Sequence, residues 1–173
     1  MPLTTERLIL EPLTVAAADE MVGVLGDPSL HRFTGGSPED LVALRRRYER
    51  QVKGRSGDGS ERWLNWIVRR ADTRDAVGYV QATVKPASYV AGVAWVIGVP
   101  FQGRGYASEA ASALVDWLRV EGIGTVTAHI HPDNRPSEAV ARRAGFEPTS
   151  LVEHGELVWE ARRLRPPHEQ LDA

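Results

Sequence analysis

The first half of the chain contains segments with two different spacings of hydrophobic residues, one typical of strands and one typical of helices. Apolar and polar residues alternate along 7–11, as they do in an edge strand, and strand-like runs follow at 63–69 and 77–84. Apolar residues at helical spacing predict a helix over 15–25, and a Ser-Pro-Glu-Asp start signal predicts a second helix over 38–52. Strands joined as hairpins favour an antiparallel sheet in this half.

Strands and helices alternate in the second half. The sequence predicts two strands and two helices there, at 93–99, 107–120, 125–131 and 136–144. Gly145 stands at the expected C-terminal cap of the last helix. Tail strands are predicted near 150–153 and 157–163, and the segment from Pro166 onward is predicted to be loose. Strands separated by helices imply a partly parallel sheet, so the predicted fold class is mixed α/β.

Composition narrows the class of protein without identifying it. The 173 residues suit one domain, and the net charge of −2 gives no overall attraction to nucleic acid or to a membrane. The three arginines at 45–47 are interpreted as a solvated helix face. Cysteine is absent, which excludes disulfides and thiolate chemistry, and no signal peptide or bilayer-length apolar run is found. We therefore expect a cytoplasmic protein.

A glycine-rich segment, residues 102–107, joins the strand predicted at 93–99 directly to the helix predicted at 107–120. Glycines let the backbone turn tightly and leave N–H groups pointing outward at a helix N-terminus, where an anion binds well. The plain alternative is a tight turn without a ligand. The segment therefore indicates a phosphate-binding loop whose design has to be identified.

Known phosphate-binding designs differ in the spacing of their glycines. A P-loop needs four residues between its glycines and a following Lys, and this chain has neither. A dinucleotide-binding fingerprint needs Gly or Ala where Ser108 stands, so it fits poorly. The remaining design reads Gln or Arg, two residues, Gly, one residue, then Gly or Ala. Residues 102–107 match it at every position, and it is the pyrophosphate loop of the GCN5-related N-acetyltransferases, which this segment resembles.

The resemblance extends over roughly residues 3–163. Residues 5–13 resemble the first strand of the branch that contains the ribosomal-protein N-terminal acetyltransferases, and 27–33 resemble its substrate loop. Residues 131–137 and 144–146 resemble its last core strand and helix. The resemblance implies one N-acetyltransferase domain over 1–173, with a loose tail at about 166–173. It also implies a mixed, mostly antiparallel central sheet flanked by helices, with splayed strands that hold the coenzyme.

The resemblance also implies a site for acetyl-CoA, the acyl donor. The pantetheine arm is expected to pair with backbone groups of Ile97, Gly98 and Val99. The pyrophosphate is expected on the loop Gln102, Gly103, Arg104, Gly105, Tyr106 and Ala107. No metal is expected, because a thioester is already reactive and needs mainly positioning and polarisation.

Asn134 and Ser137 form a second motif of the resemblance. It implies that Asn134 lies at the coenzyme and that Ser137 is the catalytic acid that protonates the departing thiolate. The residues alone also fit a helix N-cap at Asn134 with a polar Ser137 in the first turn. Both interpretations of Asn134 remain open at this point.

The general base is not identified by the sequence. Many relatives carry a glutamate where this chain has Gly92. The substitutes in the sequence are His31, Glu109, His129, His131 and Glu160, and each has a structural interpretation that we favour. An α-amine, with a pKa near 7.7 to 8.0, loses its proton far more readily than a lysine amine near 10.4. The missing carboxylate therefore favours an amine of low pKa.

We expect an acetyl-CoA-dependent N-acetyltransferase that acts on a primary amine by direct attack. One alternative is a non-catalytic acyl-CoA-binding module or sensor, which Gly92 would permit, and another is an unrelated nucleotide-binding protein. The acceptor is not identified: most of the tryptophans at 63, 66, 95 and 159 are expected in the core, and one or two at an acceptor pocket. Exposed strand edges are compatible with a homodimer.

Overall fold

The computed structural model describes residues 1–162, and its centre is an eight-stranded sheet in the order β1-β2-β3-β4-β5-β6-β8-β7. The strands are β1 Leu3–Thr4, β2 Leu8–Pro12, β3 Arg62–Arg70, β4 Ala76–Lys85, β5 Val90–Ile97, β6 Thr125–Ile130, β7 Glu147–Glu153 and β8 Glu156–Arg162. The helices are α1 Ala18–Val24, α2 Leu41–Gln51, α3 Tyr106–Val120 and α4 Arg135–Arg143. Neighbouring strands are antiparallel except β5 and β6, which are parallel. The predicted fold class, mixed α/β with a mostly antiparallel sheet flanked by helices, is confirmed.

The sheet separates two hydrophobic clusters because successive side chains of a strand point to opposite faces. Leu114 and Leu118 of α3 pack on Val80 and Val126 on one face. On the other face, α1 and α2 cover β3 and β4 with residues such as Met21. Within residues 1–162, no helix is long and apolar enough to cross a membrane.

Several predicted boundaries are wrong, each for a local reason. Helix α2 begins at Leu41 rather than at 38, because Asp40 caps it by accepting the Ala43 N–H at 2.8 Å. Residues 15–17 form a 3₁₀ turn ahead of α1, and β7 already begins at Glu147. Strand β2, which was predicted to be an edge strand, is the second strand of the sheet, because the two residues of β1 pair with its outer side. The strand end predicted at 163 and the loose tail at 166–173 lie outside the described residues.

Strands β5 and β6 separate after a short stretch of pairing. Their register pairs Val90 with Thr125, Ala91 with Val126 and Gly92 with Thr127, and no pair follows between them within residues 1–162. Both strands continue, β5 to Ile97 and β6 to Ile130. The splayed strands that the resemblance implies are therefore present, and the gap between them opens toward the N-termini of α3 and α4.

Candidate active site

The loop between β5 and α3 is shaped by two glycines with left-handed backbone. Gly103 has φ +74° and Gly105 has φ +81°, a region that other residues rarely adopt. The N–H groups of residues 103–108 have no acceptor among the residues that the structure describes. Those of 106–108 form the first turn of α3, which begins at Tyr106, one residue before its predicted start. Free N–H groups at a helix N-terminus attract anions, so the loop has the donors that a phosphate requires.

Arg7, in the turn between β1 and β2, braces this loop and was missed by the sequence reasoning. Its Nη1 donates to the Arg104 carbonyl at 3.0 Å, and its guanidinium carbon lies 5.2 Å from the centre of the Tyr106 ring. The Arg104 side chain turns back on the loop and donates to the Pro100 carbonyl at 3.4 Å. Arg7 belongs to the segment 5–13 that carries the resemblance. Nothing in the sequence shows that this segment reaches a carbonyl 97 residues away.

Glu109 ties the first turn of α3 to the N-terminal strands. Its Oε1 accepts from the Thr5 hydroxyl at 2.5 Å and from the Arg7 N–H at 2.9 Å, and its Oε2 lies 2.7 Å from the Arg7 guanidinium. Burial acts to raise the pKa of Glu109, but these hydrogen bonds outweigh it, so the pKa lies below its ordinary value. A carboxylate held by three donors is a poor proton acceptor. The structural interpretation of Glu109 is the one that these contacts support.

The end of β5 differs from its prediction. The strand ends at Ile97, and Val99 already belongs to a 3₁₀ turn, Val99–Phe101. Gly98 donates to the Val77 carbonyl at 2.8 Å and accepts from Phe101 at 2.9 Å. A Cβ on Gly98 would lie 2.9 Å from the Val24 carbonyl, so the close approach of α1 already requires a glycine at this position. The prediction that Gly98 and Val99 continue the strand is wrong.

Backbone groups of β5 that face the gap can be assigned from the register. Hydrogen-bonded positions alternate in an antiparallel ladder, and Gly98 bonds to β4. Val93, Trp95 and Ile97 therefore direct their N–H and C=O groups toward β6. The Ile97 carbonyl is occupied by Gln102, whose Nε2 donates to it at 2.9 Å and so fastens the loop to the strand end. Of the three residues predicted to pair with the pantetheine arm, Ile97, Gly98 and Val99, Ile97 is the one whose N–H is directed toward the gap.

Helix α4 starts where β6 ends, at the same edge of the sheet as the N-terminus of α3. Asn134 is its N-cap and accepts the Ser137 N–H at 3.3 Å, so the capping interpretation of Asn134 describes its observed contact. The Ser137 side chain is half-buried, and its hydroxyl has no hydrogen-bond partner among residues 1–162. That hydroxyl is therefore free to donate to another group.

The remaining base candidates are spread over two places. His31 contacts the Gly35 carbonyl at 3.3 Å, and His131 lies 5.3 Å from the Phe33 ring, both in the loop region beside α4. His129 and Glu160 lie on the same face of the sheet as Gly92, because Gly92 pairs with Thr127 and Thr127 pairs with Glu160.

Both side chains on that face have polar partners. His129 Nε2 lies 2.8 Å from Glu153, and Arg162 donates to Glu160 at 2.8 Å. Within residues 1–162, no three His, Asp or Glu side chains converge as metal ligands. Of the five candidates, His129 combines a carboxylate partner with a position on the strand that borders the gap.

A groove runs under α2 on the face of the sheet opposite α3. We call it the α2 groove; it has a volume of about 250 Å³ and is lined by Arg47, Arg50, Gln51, Trp63, Asn65, Gln81, Ala82 and Thr83. Trp63 is half-buried there, with its indole N–H donated to Glu61 at 3.1 Å. Trp66 and Trp159 belong to the core, as expected for most of the tryptophans.

The chain matches the family model described as the acetyltransferase (GNAT) domain over residues 7–147, which is more than half of its length. It belongs to this family, and it is an acetyltransferase. The family predicted from the loop motif is therefore confirmed.

Known relatives and solved structures agree with this assignment. The uncharacterized N-acetyltransferase p20 of Bacillus licheniformis is 24% identical over 152 residues, which cover 87% of this chain and 84% of p20. An acetyltransferase of Agrobacterium tumefaciens str. C58 is 27% identical with a TM-score of 0.74, over 94% of this chain and 95% of that one. RimL, a ribosomal L7/L12 alpha-N-protein acetyltransferase solved with coenzyme A, has the same fold. Its TM-score is 0.78 at 17% identity, over 95% of this chain and 98% of RimL.

Proposed function

We propose that this protein transfers the acetyl group of acetyl-CoA to a primary amine by direct attack, without a covalent enzyme intermediate. The observation that carries the proposal is the row of free N–H groups at residues 103–108, which lies at the edge where β5 and β6 separate. A cytoplasmic location, expected from the sequence, goes with this proposal.

The loop fits the pyrophosphate of the coenzyme in two ways. Its donors belong to the backbone, so they are fixed before binding, and Arg7 holds the Arg104 carbonyl away from the donor side. The pantetheine arm then occupies the gap and bonds to the edge of β5 at Val93, Trp95 and the Ile97 N–H. Peptide-like groups in the arm match an open strand edge for the same reason that a strand does. In this proposal Gly98 and Val99 shape the gap and do not pair with the arm.

Ser137 is proposed as the acid that protonates the leaving thiolate. Its hydroxyl is free, and the α4 N-terminus places partial positive charge close to it. Asn134 acts through Ser137 by holding the first turn of α4, and it is a positioning residue.

Attack by a neutral amine needs little help from a base if the amine is already partly deprotonated. An α-amine near pKa 7.7 to 8.0 meets this condition at neutral pH. Gly92 leaves no carboxylate at the usual position, and His129, supported by Glu153, is the proposed acceptor of the proton released after attack.

Calorimetric titration with acetyl-CoA, with NAD and ATP as parallel ligands, tests the coenzyme. Selective binding of acetyl-CoA is expected, and a preference for NAD or ATP would overturn the proposal. Release of free thiol that depends on an added amine then separates an enzyme from a sensor. Tight binding of acetyl-CoA without release by any of a broad panel of amines would favour the sensor.

A further inference from the structure

The α2 groove is built from one face of two paired strands and one face of a helix. Trp63 of β3 pairs with Thr83 of β4, and Asn65 pairs with Gln81, so these four side chains form its floor. Arg47, Arg50 and Gln51 of α2 form its wall, as the spacing i, i+3, i+4 requires. The groove therefore exposes amide and guanidinium groups among lining atoms that are mostly apolar.

The only formal charges lining the α2 groove, within residues 1–162, are those of two arginines. Arg47 turns inward from the basic run at 45–47, which the sequence analysis interpreted as a solvated face, and it pairs with Glu39 at 2.7 Å. Arg50 has no carboxylate partner among the described residues, although Arg45 on the same helix pairs with Asp19. The groove therefore offers at least one uncompensated guanidinium.

A narrow recess of about 30 Å³ continues the groove inward and shares Arg47, Gln51, Asn65 and Gln81 with it. Tyr48 also lines this recess. Tyr48 is 2% exposed, and its hydroxyl has no hydrogen-bond partner among residues 1–162. Burial raises the pKa of Tyr48 to about 12, so its hydroxyl remains a donor. The inner end of the recess therefore borders a buried polar group beside Arg47.

The floor of the groove lies beside β5, the strand that borders the gap between β5 and β6. Gln81 pairs with Ala94 and Thr83 pairs with Gly92, so two small residues separate the groove floor from β6 on this face. Gly92 is also part of the last pair before the strands separate. Because Gly92 has no side chain, nothing on β5 stands between Thr83 and Thr127 at this level of the sheet, and an extended acceptor would be able to cross here.

We propose that the acceptor is a primary amine that carries an anionic group, and that Arg50 and Arg47 bind this group while the amine lies at the gap. This inference rests on the proposed function. The groove and the gap are about two strand spacings apart, roughly 10 Å. An extended chain rises about 3.3 Å per residue, so the side-chain carboxylate of the third residue of a peptide spans that distance. A glycyl amide of an aminoalkyl phosphate of similar length has the same chemistry, an α-amine at one end and an anion at the other.

The test compares acceptors that differ only in charge. Three C-amidated tripeptides, Ala-Ala-Glu, Ala-Ala-Gln and Ala-Ala-Lys, form the peptide arm. The α-amines N-glycyl-3-aminopropyl phosphate and N-glycyl-3-aminopropanol form the small-molecule arm. We expect kcat/KM to be about tenfold higher for the anionic member of at least one arm, as a charge-assisted contact provides. The arm with the larger ratio identifies the source of the anion.

Two variants of α2 locate the effect. Arg50→Glu should reduce the ratio of anionic to neutral kcat/KM to about one or below, because it reverses the unpaired charge. Arg45→Glu makes the same charge reversal on the side of α2 that faces Asp19, and it should leave the ratio within about twofold. Equal loss in both variants would overturn the proposal, since it would indicate a general field effect.

The remaining outcomes separate this inference from the proposed function. Turnover of all probes without a charge preference would refute the anionic acceptor and leave N-acetyl transfer intact. If acetyl-CoA binds and no probe is turned over, titration of the same probes into the protein with coenzyme A decides. Tighter binding of the anionic probes, lost in Arg50→Glu, supports the inference, and equal binding overturns it. Failure to bind acetyl-CoA contradicts the proposed function itself.

Discussion

The two proposed binding surfaces, the loop at residues 103–108 and the α2 groove, are built from different groups of the chain. On the α3 side, the donors are backbone N–H groups of residues 103–108, and side chains such as Arg7 and Gln102 only hold the loop in place. On the α2 side, side chains from one helix and two strands form the surface. Backbone N–H groups donate to an anion whatever the side chain, so the loop depends little on residue type. Side chains on a surface can be substituted without disturbing the fold. If both proposals hold, the coenzyme is bound mainly by the backbone and the acceptor mainly by side chains.

The largest expected effect lies between the two faces, at Ser137. Ser137→Ala should lower kcat by about 10² or more, because a positioned acid contributes 10²- to 10⁴-fold, while the Kd of acetyl-CoA changes by less than about twofold. Steady-state kinetics and calorimetry measure the two quantities. Ser112→Ala, at a half-buried position of α3, is the matched control and should change neither. A parallel loss of kcat and affinity would make Ser137 part of the coenzyme surface instead.

Replacing a loop glycine by alanine tests whether acetyl-CoA binding depends on the backbone conformation of residues 103–108. Gly105→Ala places a Cβ 3.3 Å from Arg7 at φ +81°, and we expect the Kd of acetyl-CoA to rise about tenfold. Gly122→Ala is the control, because Gly122 has φ +88° but lies in open space beyond α3. Both variants should lose about 1–2 kcal/mol of stability from backbone strain. Equal affinity in the two variants would refute a role for the loop.

Arg7 tests whether the loop must be braced from the N-terminal strands. Arg7→Lys keeps the charge but loses the fork that bonds to both Arg104 and Glu109, so we expect the Kd of acetyl-CoA to rise about fivefold. Arg70→Lys removes a similar fork, on Asp72 in an exposed turn, and should leave the Kd unchanged. An unchanged Kd in both variants would mean that the loop keeps its shape without Arg7.

The smallest expected effect concerns stability and pH at Glu109. Its pKa is lowered in the folded state, so its contribution is present above the ordinary pKa and is lost as the pH falls through the lowered folded-state pKa. Glu109→Gln should cost about 1 kcal/mol at pH 7 and clearly less in acid below that lowered pKa, by denaturant titration at both pH values. The exposed Glu121→Gln serves as the control. A deficit that is the same at both pH values would show that packing, not charge, is lost.

Local sequence signals predicted the glycine turn between β5 and α3, whereas features that depend on long-range contacts could not be predicted. Gly103 and Gly105 were identified because a tight turn demands glycine wherever it occurs. The fold class was also predictable, because the spacing of apolar residues in strands and helices is a local property of the sequence. The contact that requires a glycine at position 98 could not be seen in the sequence, because it is made with Val24 at the end of α1, 74 residues earlier in the chain. Arg47 looked like its neighbours in the basic run, and only the packing of α2 on β3 and β4 turns it inward.

The gap between β5 and β6 also has a consequence for the cohesion of the fold. Beyond three residue pairs, the sheet consists of two separate pieces, β1–β5 and β6–β8, joined mainly through α3 and α4. A coenzyme arm in the gap, as proposed, would supply the hydrogen bonds of a missing strand and so act as part of the protein's framework. Ligand at 100 times its Kd adds about 2.7 kcal/mol to stability. Hydrogen exchange in β6 and β8 should then slow on binding, and the amount of acyl donor would set how long this half of the sheet stays closed.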